Sequence, residues 1–375
     1  MYTVTGPFGN DIDIPESVEE DLLNFTLDDL PGAAKCLDVN GYVVVRRVLD
    51  PMFCQRVRRA FDAEVRRSPT PILRQKNMRY ERNSISEDGF VENPIFNIQD
   101  LRSGEFEQFR TAVLDLLTHP AVRSIASALL ASDEIKLIES MFFEAPAGTW
   151  AHQDSYYQDS ARELGKCVAG WFALEDIDAG AGRFWVSPGS HRLMPVVRNS
   201  GENRFSDHHD HYKDEVLEIA HGLQLTCKAP FLAAGDILFW NSLTLHGSLS
   251  ASRRGVSRAS LTAHYLRRDD SMLQFHSRVR SQELTDYHGL PVAVLHDQAK
   301  WSNQLVREFG YRFPDLYMAA RKLALKAVLS HSTASRSSLL HPRLEHLRQE
   351  GAHIGQGGLG GLAGVAGGDA PVGGE

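Results

Sequence analysis

What this 375-residue chain lacks narrows its class. It has only four cysteines, at positions 36, 54, 167 and 227. They are too scattered for a CxxC metal site or a disulfide framework, so reduced thiols in a cytoplasmic setting are expected. A basic excess is also missing: the formal net charge is -8 and the pI about 6.1. Phosphate backbones are bound by basic faces, which argues against nucleic acid as a partner. The acidic balance further favours a polar or cationic small molecule over an anionic ester. There is no N-terminal apolar h-region and no long apolar run, so neither secretion nor membrane insertion is expected.

What is present falls into segments of different texture. Residues 1–35 are acidic, carry Gly6, Pro7, Pro15 and Pro31, and show little periodicity, which predicts an N-terminal segment draped over the surface. A β-branched run, Gly41 to Val45, reads as a strand. Pro51 then opens a helix whose Phe53, Val57, Phe61 and Val65 recur at helical spacing. Arginines 56, 58, 59, 66 and 67 on its other faces read as solvated rather than as an anion patch. Residues 68–104, with Arg79, Arg82 and Asn97, are polar and irregular, as the rim of a pocket would be. Helical stretches follow at 105–117 and 121–131 around Pro120.

From Ile135 the pattern changes to short apolar β-type runs at 135–145, 167–175, 183–186, 223–233, 236–240 and 258–266. Turn residues separate them and no helical pattern intervenes. The fold class this predicts is mainly β with flanking helices, a jelly-roll core within residues 36–270. Residues 271–350 read as a C-terminal extension, loose to about 300 and helical across 301–330, with Arg321, Lys322 and Lys326 on a solvated face. The Gly/Ala-rich stretch 351–375 offers almost nothing to bury and is expected to be disordered.

Chemistry concentrates after the first of those β runs, in Met141 to Asp154. His152-Gln153-Asp154 places an imidazole and a carboxylate two residues apart on extended backbone, where both side chains point the same way. Such a pair supplies two ligands of a facial triad, and the third would be a distant histidine. His246 stands out for that role, at the end of a β run through Gly235 and Trp240 and followed by Gly247-Ser248. Arg258 comes twelve residues later inside a strand-like segment. A guanidinium is costly there unless an anion meets it, and its planar fork suits a carboxylate.

Taken in order, His152-x-Asp154, Val168-Ala-Gly-Trp171, the Pro188-Gly-Ser-His191 turn, His246-Gly-Ser248 and Arg258 resemble the motifs of the phytanoyl-CoA dioxygenase-like family of non-haem oxygenases. The similarity spans about residues 36–270. It implies a double-stranded β-helix (jelly-roll, cupin-like) core holding Fe(II) through His152, Asp154 and His246. It also implies that Arg258 binds the distal carboxylate of 2-oxoglutarate with Ser248 beside it, and that Met141, Gln153, Trp171 and Asn97 line the co-substrate site. The activity implied is hydroxylation of an unactivated C–H of a small-molecule metabolite by dioxygen, with release of succinate and carbon dioxide. Related halogenases carry a small residue where this chain has Asp154, so the carboxylate favours an alcohol over a halide. The alternative is a jelly-roll small-molecule-binding protein that keeps the fold without the chemistry.

Other polar residues have plainer readings. His191 is expected to tie down its turn. His264 shares a strand face with Arg258, and either lines the pocket as a substrate contact or is a satisfied core histidine. Tyr156 and Tyr157 read either as substrate contacts or as packing at the barrel mouth, and by strand alternation from the His-x-Asp pair Tyr156 is the better candidate for the pocket side. His208-His209-Asp210-His211 lies in a polar stretch to Glu215 that reads as a solvated or substrate-covering loop rather than a zinc site.

Overall fold

The acidic N-terminal segment lies at the surface but is ordered as a hairpin with one packed face. Strand β1 (Tyr2–Thr5) pairs antiparallel with β2 (Asp11–Ile14), and Phe8, Ile12 and Ile14 pack into a core with Trp185. The Asp-Ile-Asp-Ile alternation of β2 has the period of a half-buried strand. At four residues it is too short to stand out against the acidic composition around it. The structure, a computed structural model, describes residues 2–21, 24–193, 209–276 and 278–327, with the side chains of 209–211 left aside. The expected tail 351–375, His208 and the extension beyond 327 lie outside the described residues.

Helix α1 (Leu30–Asn40) leads into β3 (Tyr42–Val45), and α2 (Pro51–Ala60) starts with Asp50 capping the Met52 amide at 2.8 Å. The arginines of α2 are surface-paired, Arg56 with Asp115 at 2.8 Å and Arg58 with Glu175 at 2.9 Å. Short strands β4 (Ile72–Leu73), β5 (Tyr80–Glu81) and β6 (Ile95–Phe96) punctuate the irregular stretch, and α3 (Ser103–Leu117) and α4 (Pro120–Leu130) follow. The remaining strands are β7 (Ile135–Phe143), β8 (Thr149–His152), β9 (Gln158–Ser160), β10 (Val168–Ala173), β11 (Phe184–Val186), β12 (Ile237–Asn241), β13 (His246–Ser248) and β14 (Ser260–Arg267). The expected run at 223–233 is not a strand; only an isolated bridge from Lys228 to Val186 forms there.

Residues 271–300 are also not loose. They form β15 (Met272–Gln274), β16 (Arg278–Arg280), β17 (Glu283–Tyr287) and β18 (Leu290–Val294), before α6 (Trp301–Arg312) and a further helix over 314–327. These strands are short, β16 is half-buried and basic and β17 largely exposed, so they lack the apolar alternation by which strands are found in sequence.

One sheet runs in the order β17-β18-β7-β14-β10-β12-β3, a second in the order β11-β13-β8, and a third, β16-β15-β9, flanks them. This is a mainly β jelly roll with flanking helices. On the main sheet, Phe172, Leu261, Ala263 and Tyr265 face the helices, packing with Leu117, Val122 and Ile125, and the Tyr265 hydroxyl donates to the Leu117 carbonyl at 2.8 Å. The opposite face carries Trp171, Thr262 and His264 toward a cavity. Strand β7 changes sides midway: Tyr265 pairs with Leu137 but His264 pairs with Glu139, so Ile138 is an extra, bulged residue. The bulge turns Glu139 and Met141 inward, whereas Leu137 packs against the helices.

Candidate metal centre

The two sheets converge on His152, Asp154 and His246, whose ligand atoms all lie within 4.8 Å of one another and could hold one metal ion. Strands β13 and β8 bring the histidines together, with His246 directly opposite His152 in register and ring centroids 4.2 Å apart. Close pairing requires Gly247: a Cβ there would lie 2.8 Å from the Trp185 ring and 2.9 Å from the carbonyls of Thr149 and Trp150. Asp154 follows β8 in a 3₁₀ turn (Asp154–Tyr156) and turns Oδ1 toward both rings, 3.4 Å from His246 Nε2 and 3.8 Å from His152 Nε2.

Each of the three is oriented by a second contact. His152 Nδ1 lies 2.9 Å from the Trp150 carbonyl and His246 Nδ1 2.9 Å from the Thr244 carbonyl. A carbonyl only accepts, so Nδ1 carries a proton and Nε2 is the nitrogen available to a metal ion. The Trp240 indole donates to Asp154 Oδ2 at 2.8 Å, and His264 Nε2 approaches the same oxygen at 3.2 Å. Burial alone would raise the Asp154 carboxyl. The adjacent His246 and His264 outweigh it and hold the carboxyl well below the usual carboxylate range.

These groups open into a cavity of about 680 Å³. Met141, Trp171, Ser248, Arg258 and His264 line it as well. The Arg258 guanidinium is buried; it donates to the carbonyls of Gly182, Leu249 and Ala147, and its Nε has no partner. Gly182 has φ +65°, and a Cβ on it would meet the Leu249 carbonyl at 2.3 Å, so a side chain there would push apart the loop that holds the arginine. Among the described residues no carboxylate pairs with Arg258, and burial pushes it down to about 10. An unmatched buried cation facing a cavity fits an anionic ligand. Two imidazoles and a carboxylate on one face fit an iron(II) ion with open positions. The residues present therefore suit both groups.

Other expected site residues fall elsewhere. Gln153 does not reach the cavity: its side-chain amide donates to the Leu243 carbonyl at 2.8 Å, and its backbone amide bonds the Tyr212 hydroxyl. Asn97 is buried behind the wall, its amide directed at Asp100 at 3.3 Å. The tyrosines are exchanged relative to expectation. Tyr157 lines the cavity, whereas Tyr156 is buried and stacks on Tyr212 at 3.7 Å. Strand alternation fails there because the chain leaves extended backbone at Asp154 and turns. His191 anchors its turn through Nε2 to the Asp38 carbonyl at 2.9 Å.

Two features near the site escaped the sequence reading, one behind the ligand turn and one in the cavity wall. From His209 the expected loop is instead helix α5 (His209–Gly222), which delivers Tyr212 beneath Gln153. Arg321, Lys322 and Lys326, read as a solvated face, line the outer part of the cavity with Arg278 and Arg280. Nothing in their local periodicity marks them, since it takes the fold of the whole extension to bring them there.

A jelly roll carrying this His/Asp/His centre beside a buried, unmatched arginine defines an iron- and 2-oxoglutarate-dependent oxygenase. The profile described as Phytanoyl-CoA dioxygenase (PhyH) matches residues 37–256, and the chain belongs to that family. The rat protein named phytanoyl-CoA dioxygenase, peroxisomal (Rattus norvegicus) is 25% identical over 284 residues, covering 70% of this chain and 75% of its own. The protein of that name from Homo sapiens is 26% identical over 251 residues, covering 63% and 68%. Among solved structures, the epimerase SnoN in complex with Fe3+, alpha-ketoglutarate and nogalamycin RO aligns with a TM-score of 0.49 at 20% identity, over 72% of this chain and 97% of that one. EctD from S. alaskensis, with 2-oxoglutarate and 5-hydroxyectoine, aligns with a TM-score of 0.48 at 16% identity, over 70% and 86%. Among the described residues no single helix is long and apolar enough to cross a membrane.

Proposed function

We propose that this protein hydroxylates an unactivated C–H of a small-molecule metabolite, with His152, Asp154 and His246 as the iron ligands and Arg258 as the anchor of 2-oxoglutarate. The observation that carries this reading is the convergence of the three ligand atoms with a buried, carboxylate-free Arg258 in one cavity. Iron(II) with 2-oxoglutarate and dioxygen supplies the oxidising power, with succinate and carbon dioxide as by-products. The chain's own residues fix the geometry. The Trp150 and Thr244 carbonyls orient the two histidines, and Trp240 and His264 hold Asp154 Oδ2, so that Oδ1 would be the oxygen offered to the metal. Arg258 presents its fork to a carboxylate, with Ser248 nearby as a hydroxyl donor, and Met141 and Trp171 form apolar wall around the keto-acid. Walls of this kind keep water from the reacting carbon.

Asp154 occupies the position that a chlorinating relative leaves open for halide, which supports an alcohol as product. The setting we assign is a reducing one, the cytoplasm, in keeping with four buried free thiols. The test is direct. Protein loaded with Fe(II) without oxygen is titrated with 2-oxoglutarate, then exposed to air. A visible charge-transfer band and succinate release are expected, both lost in His246→Ala. A protein that binds neither Fe(II) nor 2-oxoglutarate would instead be the non-catalytic binder.

A further inference from the structure

The outer part of the cavity has a chemistry that the metal end does not use. Arg278 and Arg280 are alternate residues of β16, so they share a face of that strand, and both line the cavity together with Arg321 of the C-terminal helix. Pairing across the small sheet ties them to the metal: Arg278 faces Gln274 on β15, which faces Gln158 on β9. Gln158 is four residues past Asp154. At ~5 Å per strand, the Arg278 backbone stands roughly 10 Å from Gln158.

Among the described residues no carboxylate forms an ion pair with this group, although Asp100 and Glu139 attract Arg280 from a distance. Among the described residues neither the Arg278 nor the Arg280 guanidinium makes a hydrogen bond or ion pair, and Arg321 reaches only the Met78 carbonyl, at 3.0 Å. Two carboxylates stand near Arg280, and both are committed elsewhere. Asp100 accepts from the Leu295 amide at 2.8 Å, and Glu139 accepts from Gln158 at 3.0 Å. The crowding is felt by the neighbours: burial, then Arg280 and Arg321, pushes His296 down to about 4, so it stays neutral there. Three cations gathered without an ion-paired carboxylate raise one another's energy, and an anion arriving from solvent relieves all three at once. The same cavity also carries an aromatic lining, with Phe96, Phe143, Tyr157 and Phe275, beside the polar Gln158 and Gln274.

We infer that the outer end of the cavity is an anion-binding subsite in which Arg278, Arg280 and Arg321 hold the carboxylate or phosphate of the substrate, while the aromatic lining takes its carbon body. The inference rests on the oxygenase reading only in calling that ligand a substrate. It reverses the preference for cations suggested by net charge, because a local cluster sets the field inside a cavity more strongly than a sum over the whole surface.

The probes are 4-phenylbutyrate, phenyl phosphate and the neutral 4-phenylbutanol, each titrated calorimetrically into the full chain without metal, so that binding is read apart from oxygenase activity. Each anion is expected to bind ~10-fold or more tightly than the alcohol, with an affinity that falls as salt rises. Which anion binds tighter tells carboxylate from phosphate. In Arg278→Gln/Arg280→Gln and in Arg321→Gln the preference should collapse while the alcohol is unaffected, and Arg278→Lys/Arg280→Lys should restore most of it. Unchanged melting temperatures exclude misfolding. Failure of both anions to bind, equal loss for anion and alcohol, or a preference that survives the double variant but vanishes in Arg258→Gln would each overturn the subsite. Succinate release measured on Fe(II)-loaded protein judges the oxygenase reading separately.

Discussion

The two ends of the cavity are built on opposite principles. At the metal end nearly every polar side chain is committed twice: each ligand histidine to a backbone carbonyl as well as to the centre, Asp154 to Trp240 and His264 through the oxygen that faces away. At the outer end the charged groups Arg278 and Arg280 make no hydrogen bond or ion pair among the described residues. Doubly held groups keep one geometry whatever occupies the cavity, which a fixed reaction needs. Unmatched groups take their partner from the ligand, which suits the part of a site that chooses among substrates. The contrast separates what the protein does from what it does it to.

Breaking the committed end should have the largest effect. His246→Ala is expected to take turnover below detection with little change in melting temperature; an active variant would sink the ligand assignment. Arg258→Gln comes next. Loss of a charge-assisted contact should raise the KM for 2-oxoglutarate ~10- to 100-fold while kcat at saturation is largely kept. An unchanged KM would move the keto-acid elsewhere in the cavity. Trp240→Phe removes only the indole donor on Asp154 Oδ2, and it should weaken Fe(II) binding ~10-fold or more as an outer contact does. Equal affinity would mean that Trp240 acts by packing alone.

The smallest effect comes from behind the outer end. Burial raises Asp100 from 3.8 to about 6. The folded chain therefore holds that proton more tightly than the unfolded one, so this group adds stability as pH falls from about 6 toward 4 and loses it as pH rises through about 6. Asp100→Asn lacks the effect. Its stability deficit relative to the parent should grow by about 1 kcal/mol between pH 7 and pH 5, read by denaturant unfolding. A deficit that is constant with pH would show that Asp100 carries no raised proton affinity.

How much of this was legible in the sequence follows from the range of the signal. The His-x-Asp pair, His246 and Arg258 were readable because each sits on or beside a strand whose apolar run is local, and their order matches a family pattern. The jelly roll was readable for the same reason. Tyr156 and Tyr157 were exchanged because parity holds only while the backbone stays extended, and the 3₁₀ turn at Asp154 resets it. Strand β7 hides a similar change, since the bulge at Ile138 cannot be seen without its partner strand. Gln153 and Asn97 carry family positions but are spent on backbone and neighbouring side chains here. The strands between 272 and 294 and the basic mouth depend on contacts more than a hundred residues away in sequence, beyond any window of periodicity.

The hairpin of β17 and β18 adds to the main sheet through a parallel contact of Val292 with Leu137. It thereby anchors a segment that begins at Met272, after the last ligand and after Arg258. Chain order thus divides the enzyme into an engine and a mouthpiece. During synthesis, His152, Asp154, His246 and Arg258 have all emerged before the first residue of the basic rim exists. A lineage could exchange that rim, together with its own sheet anchor, and acquire a different substrate without rewriting a single metal contact.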